Sequence, residues 1–256
     1  MIDIEKAKNE FIKYVSNYDM NEKRIKSKYE HSFRVMENSR KIAESLNLNK
    51  EDIALATLIG LLHDIARFEQ WKKYRVYNDK FSFDHGDKGA EFLEQNNFIR
   101  NFILEDKYDN IIKLAIKNHN KFKIDESITD EKTLLHCKII RDADKLDIFY
   151  EAQTIFWDTE EIRIEIGNSD ISDSYFNQFI NRKQILIEKD QSELDHVIAI
   201  ISFAYDLNFE YSKKVVFETK YIKDILNKFD FKKEETIKRV NKIQKTIEEF
   251  LSTNAS

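Results

Sequence analysis

Not one proline interrupts this chain of 256 residues, and only four glycines do: Gly60, Gly86, Gly89 and Gly167. Proline and glycine are the residues that most reliably break a helix. A chain that nearly lacks both favours long helices joined by short polar turns. Apolar side chains recur at helical spacing along almost the whole length, so the predicted fold class is all-α. At 41% hydrophobic residues the chain can bury a substantial core.

The helical pattern runs over Ile4 to Tyr18, Glu22 to Leu46 and Lys50 to Phe68. The second stretch carries His31 beside an apolar stripe through Val35, Ile42 and Leu46. The third opens with acidic residues, as a helix N-terminus prefers, and is almost wholly apolar from Ile53 to Leu62. It reads as the central buried helix. Phe68 to Phe83 is aromatic and polar without a clear period, and reads as a loop with one or two short helical turns. Asp84 is a suitable cap for a short helix to Gln95. Further helices are expected over Asn110 to Asn120, Lys132 to Tyr150, Ser172 to Lys189, Ser192 to Tyr211, Ser212 to Phe229 and Lys232 to Leu251. No linker, repeat or low-complexity tract divides them, so one all-α domain over residues 1–256 is the simplest reading.

The net charge of −5 gives no blanket attraction to nucleic acid, and long nucleic acid is not an expected partner. Residues 213–256 hold 11 Lys and Arg against 7 Asp and Glu, which reads as a solvated helix face. The single cysteine, Cys137, excludes an internal disulfide and any zinc cluster built on cysteine. No basic segment followed by an apolar core stands at the start, and no apolar run reaches the roughly 20 residues that span a bilayer. A soluble, cytoplasmic protein without membrane association is the expectation.

One stretch does not fit an ordinary core helix. GLLHDIARFEQ, Gly60 to Gln70, ends its most apolar face on an adjacent histidine and aspartate. Neighbouring residues on a helix point roughly 100° apart, so His63 and Asp64 converge on one ion only near a helix end or where neighbours enclose both sides. His31, His85, His119 and Asp144 lie in the same first 145 residues. Imidazole and carboxylate without thiolate suit Mn2+, Fe2+, Ni2+, Co2+ or Mg2+, with Zn2+ as an alternative.

YEHSFRV, LLHDIARF, DHGDKGAEFL, AIKNHNKF and IIRDADKLDIF, in that order, resemble the HD-domain superfamily of metal-dependent phosphohydrolases. The resemblance covers about residues 28–150 and rests on the series His, His-Asp, Asp. It implies a helical bundle with a metal-binding core at about 22–150 and additional C-terminal helices at about 158–252. It also implies that His31, His63, Asp64 and Asp144 hold one divalent ion. His85 and His119 match the positions that hold a second ion in two-metal members, with Asp64 bridging. Such a pair activates a water and clamps a phosphoryl oxygen. Arg67, three residues past Asp64, is placed to neutralise a phosphate, with Arg34 and Lys145 as further candidates. Trp71, Tyr74, Tyr77 and Phe81 offer a stacking wall for a base.

Simpler readings stand beside these. His63 and Asp64 can be a capped helix end, and Arg67 can pair with Glu69. His136 and His196 lie in apolar runs and read as core histidines. Asp142 and Asp147 read as helix-surface charges or as partners of a ligating histidine. The aromatic residues can be ordinary packing. The stripe Val197 to Phe209 is core or a subunit interface, so a homo-oligomer is open. The expected function is hydrolysis, by metal-activated water, of a phosphomonoester or phosphodiester in a nucleotide or other small phosphate compound. The competing expectation is a catalytically weak nucleotide-binding signalling module that metal stabilises.

Overall fold

The computed structural model describes residues 2–187 and 191–253. Among these residues the secondary structure is helical, with no strand, which is the all-α class. None of their helices is long and apolar enough to cross a membrane. The chain divides into two compact units, residues 1–144 and 145–256.

The first unit contains α1 (Ile4–Val15), α2 (Lys23–Ser45), α3 (Lys50–Leu62), α4 (Arg67–Tyr74), α5 (His85–Glu94), α6 (Asp109–Asn118) and the start of α7 (Glu131–Thr154). Its centre is α3, which packs against α1, α2 and α6 and is buried continuously from Leu55 to Leu62. A helix that is apolar all round has to be enclosed on every side. The entry to α3 is set locally. Asn47 takes the left-handed conformation at φ 55°, which asparagine tolerates, and the Leu48 amide donates to the Ala43 carbonyl to close α2. The side chain of Asn49 then accepts from the amides of Glu51 and Asp52, capping α3. This short reversal returns the chain against α2. At Gly60 the two helices come so close that an added Cβ would lie 2.6 Å from Ser39 Oγ and 2.9 Å from Met36 Cα.

The helix expected to continue to Phe68 stops at Leu62. Residues 63–66 form a tighter turn, with the Ile65 amide on the Leu62 carbonyl and the Arg67 amide on the Asp64 carbonyl. Both are i to i−3 bonds. The apolar pattern reported the burial of this segment and not the change in its hydrogen-bond register. The aromatic stretch from Phe68 to Phe83 holds α4 and one 3-10 turn, Asp79–Phe81. Phe11 of α1 meets Phe68 edge-on at 5.8 Å, and Tyr14 donates its hydroxyl to the Ile65 carbonyl at 3.1 Å. The first helix thereby braces the turn from behind.

The second unit contains the remainder of α7, then α8 (Glu160–Asn168), α9 (Asp173–Ile180), α10 (Glu193–Ile201), α11 (Glu210–Glu218), α12 (Tyr221–Leu226) and α13 (Glu234–Thr253). Three expected helices are shorter or split. Arg182 at φ 55° turns the chain after α9, where a helix to Lys189 was expected; residues 188–190 lie outside those described. The helix expected from Ser192 to Tyr211 ends as a 3-10 turn at Ser202–Asp206. Lys220 at φ 56° separates α11 from α12. Val197, Ile198, Ala199 and Ile201 are fully buried, so the first part of that stripe is core. Lys238 pairs with Glu234 at 2.8 Å, consistent with a solvated basic face.

Gly60→Ala gains about 1 kcal/mol of helix propensity but drives a Cβ against the Met36 backbone, which cannot rotate away. The expected net result is a loss of about 1–2 kcal/mol in a urea unfolding curve. An unchanged or raised midpoint would mean that α2 and α3 are free to separate.

Candidate metal centre

The ends of helices supply most of this site. His63 follows α3, Asp64 lies in the tight turn, His85 opens α5 and His119 closes α6. His31 comes from the middle of α2 and Asp144 from α7. Asp84 places His85 by capping α5, its carboxylate accepting the Asp87 amide at 2.9 Å. All four histidines and Asp64 are buried, and the Asp144 side chain is 17% exposed.

These side chains form two groups that meet at Asp64. On one side, His31 Nε2 lies 3.1 Å from His63 Nε2, 3.4 Å from Asp64 Oδ2 and 3.2 Å from Asp144 Oδ1. On the other, His85 Nε2 and His119 Nε2 are 3.0 Å apart and lie 3.4 and 3.6 Å from Asp64 Oδ1. Each carboxylate oxygen of Asp64 therefore faces a different pair of imidazoles.

The protonation pattern follows from the outer bonds. His63 Nδ1 is 2.8 Å from the Gly60 carbonyl and His119 Nδ1 is 2.6 Å from the Ile116 carbonyl. A carbonyl only accepts, so each Nδ1 carries a proton, and in the neutral tautomer Nε2 turns a lone pair inward. His85 Nδ1 donates in the same way to Asp79 Oδ2 at 2.5 Å. The inward nitrogens of His85 and His119 then face each other with no proton between them. Asp64 Oδ1 is buried and accepts no hydrogen bond. Converging lone pairs and an unpartnered buried carboxylate oxygen are a fit for a divalent cation, and an imidazole fixed through its outer nitrogen is the usual arrangement at such sites.

Electrostatics keeps the donors ready. Burial alone would raise the Asp64 carboxyl, but the charges of Lys28 and Arg67 outweigh it and hold the group well below the usual carboxylate range. Burial likewise opposes ionisation of Asp144, and the His31 imidazole, 3.2 Å from its carboxylate, outweighs that and holds the group well below the usual range. Burial lowers His63 against the pull of Asp64 and Asp144. Burial and then the Arg67 charge bring His85 down to about 4.

Arg67 sits at the edge of the second group, not on Glu69. Its guanidinium donates to Gln70 Oε1 at 2.6 Å, Asp79 Oδ1 at 2.9 Å and the Tyr77 carbonyl, and Nη2 lies 3.2 Å from His85 Nε2. Glu69 instead accepts from the Tyr18 hydroxyl. Arg34 is half-buried one turn beyond His31, and Lys145 pairs with Asp206 at 2.8 Å. Asp142 and Asp147 are buried, so neither is a surface charge. His136 is buried with its Nε2 3.6 Å from Asp52 Oδ1, and His196 is packed near Trp157. Of the aromatic residues, Tyr77 comes nearest the site, with its ring beneath Arg67 at 5.6 Å; Trp71 stacks on Tyr77, Tyr74 meets Phe83, and Phe81 is exposed.

Sequence reasoning missed five contributors. Lys28 places Nζ 2.9 Å from Asp64 Oδ2, and its signal was its position three residues before His31 on one helix face. Asp79 joins His85 to Arg67, and Asn120 donates to both Asp79 and Asp84. Arg141 is buried and donates to the carbonyls of Asn118, Lys121 and Phe122, closing the end of α6 beside His119. Asn118 holds the same loop through the Asp125 amide. Asn118, Asn120 and Arg141 lie inside the motifs quoted above and Lys28 borders one; Asp79 lies outside them.

Residues 29–148 match the family model of the HD domain. No curated protein and no solved structure matches the chain.

Two buried imidazoles make the metal-free protein sensitive to acid. Burial holds both His85 and His136 near about 4, while an unfolded histidine titrates near about 6.5. Between these values the unfolded chain binds more protons, so stability falls as the pH is lowered. The expected loss between pH of about 7 and about 4 is on the order of 3 kcal/mol per imidazole, read from urea midpoints. His136→Leu should flatten roughly half of that slope. A level profile would contradict the neutral, inward-facing imidazoles.

Proposed function

The chain belongs to the HD-domain superfamily through residues 29–148, a family of metal-dependent phosphohydrolases, and from that premise we propose that it hydrolyses a phosphoester of a nucleotide or other small phosphate compound. The observation that carries this reading is Asp64, whose two oxygens are divided between two pairs of histidines, one of them without a hydrogen bond. Such a carboxylate is suited to bridging two cations. His31, His63, Asp64 and Asp144 would hold one ion, and Asp64, His85 and His119 the other. The donor set favours Mn2+, Fe2+, Ni2+ or Co2+.

Ions held by these residues would supply an acidified water and positive charge for the phosphoryl oxygens. The chain's own residues do the rest. The outer bonds of His63, His85 and His119 keep their inward nitrogens unprotonated. Asp79 and Gln70 hold the Arg67 fork at the edge of the site, where it can take two oxygens of one phosphoryl group. That charge is already in place before charge develops in the transition state. The Tyr77 ring beneath Arg67, with Trp71 tilted against it, would suit a planar base.

Elemental analysis of the purified protein and of Asp64→Ala tests the centre without a choice of substrate. About two equivalents of a transition metal, lost in the variant, are expected. About one equivalent would confine the site to the first group, and none after soaking in Mn2+ would overturn the reading. With the metal identified, His63→Ala should abolish turnover of nucleotide and phosphoester substrates while far-ultraviolet circular dichroism stays near wild type. Full turnover in that variant would remove His63 from the site.

A further inference from the structure

We infer that Lys28 is a ligand for the substrate's phosphoryl group, held on Asp64 until that carboxylate is taken by a cation. The inference rests on the metal-dependent reading above and adds a residue to it. Lys28 Nζ is 2.9 Å from Asp64 Oδ2, the same oxygen that faces His31 at 3.4 Å and His63 at 3.7 Å. The ammonium therefore shares an oxygen with the first histidine group. A divalent ion held there competes for that oxygen and repels the ammonium across a few ångströms of poorly solvated space.

Lys28 is not sealed in. Its side chain is 17% exposed, against 3% for Asp64, so the ammonium lies at the boundary between the buried carboxylate and solvent. Tyr77 sets that position. Its ring lies 5.7 Å from Lys28 Nζ and 5.6 Å from the Arg67 guanidinium carbon, and its hydroxyl donates to the Arg24 carbonyl at 2.9 Å. One tyrosine thus keeps two cations beside the centre. Arg67 has Asp79 as a carboxylate partner separate from Asp64. Among the described residues, the carboxylate within ion-pair reach of Lys28 is Asp64 itself. Once a cation engages Asp64, an oxyanion of the substrate is the natural replacement partner, and the two cations bracket it.

A purely structural lysine and a substrate ligand give opposite signs. Titration calorimetry measures Mn2+ binding to the metal-free protein and inorganic phosphate binding to the Mn2+-loaded protein. In Lys28→Met, Mn2+ should bind about tenfold more tightly because a competing cation is gone, and phosphate about tenfold more weakly. Lys28→Arg should restore phosphate to within about threefold of wild type. Unchanged phosphate affinity, or a parallel loss of both ligands, would overturn the role of Lys28 alone. Failure of the wild-type protein to bind Mn2+ would instead overturn the reading beneath it. Should Lys28→Met not fold, lysine acylation of the wild-type protein followed by mass spectrometry decides the matter. Phosphate should slow modification of Lys28 in the Mn2+-loaded protein, and an unchanged rate would overturn the inference.

Discussion

A full negative charge at the bottom of an apolar core is the constraint around which the first unit is arranged. Transfer of a carboxylate from water into a protein interior carries a penalty of several kcal/mol unless cations and donors surround it. Asp64 is 2% exposed and follows directly on the most enclosed helix of the unit. Lys28 from α2, Arg67 from α4 and four imidazoles from α2, the end of α3, α5 and α6 converge on it. No single element could supply these neighbours. The carboxylate and the helices around it are mutually dependent, since α3 buries the charge and the other helices make that burial tolerable.

Several features that position the site were readable from residues alone. The absence of proline, the apolar run from Ile53 to Leu62, the Asp84 cap and the His-Asp step all carry local signals whose physical origin is short-range. The turn at residues 63–66 was not readable in that way. A 3-10 turn and an α-helical turn bury nearly the same side chains, so the apolar pattern cannot distinguish them. Helix breaks at Arg182 and Lys220 were equally silent, because long basic residues rarely take positive φ and announce nothing when they do. The end of α2 lies within one residue of the Leu46 expected from its apolar stripe, and Asn47 follows it at a similar φ.

The outer partners of the metal centre divide along the same line. Lys28 and Arg141 share a helix face or a motif with a ligand and were accessible to a closer reading. Asp79, Gln70 and Asn120 meet only because α4, the 3-10 turn and the loop after α6 come together in space. Separation in sequence hides such a network from any argument based on spacing. Arg67 illustrates the difficulty: Glu69 was the nearer partner in sequence, yet the guanidinium reaches ten to twelve residues on, to Tyr77 and Asp79.

Arg141 has a mechanical consequence. Its guanidinium grips the carbonyls that end α6, and Asp144 lies three residues further along the same helix. A member of each histidine group is thus fastened to one rod: Asp144 by its own side chain and His119 through the backbone that Arg141 holds. Any rigid shift of that part of α7 carries both in the same direction. The two halves of the centre then loosen or tighten as one body, and neither can relax by itself.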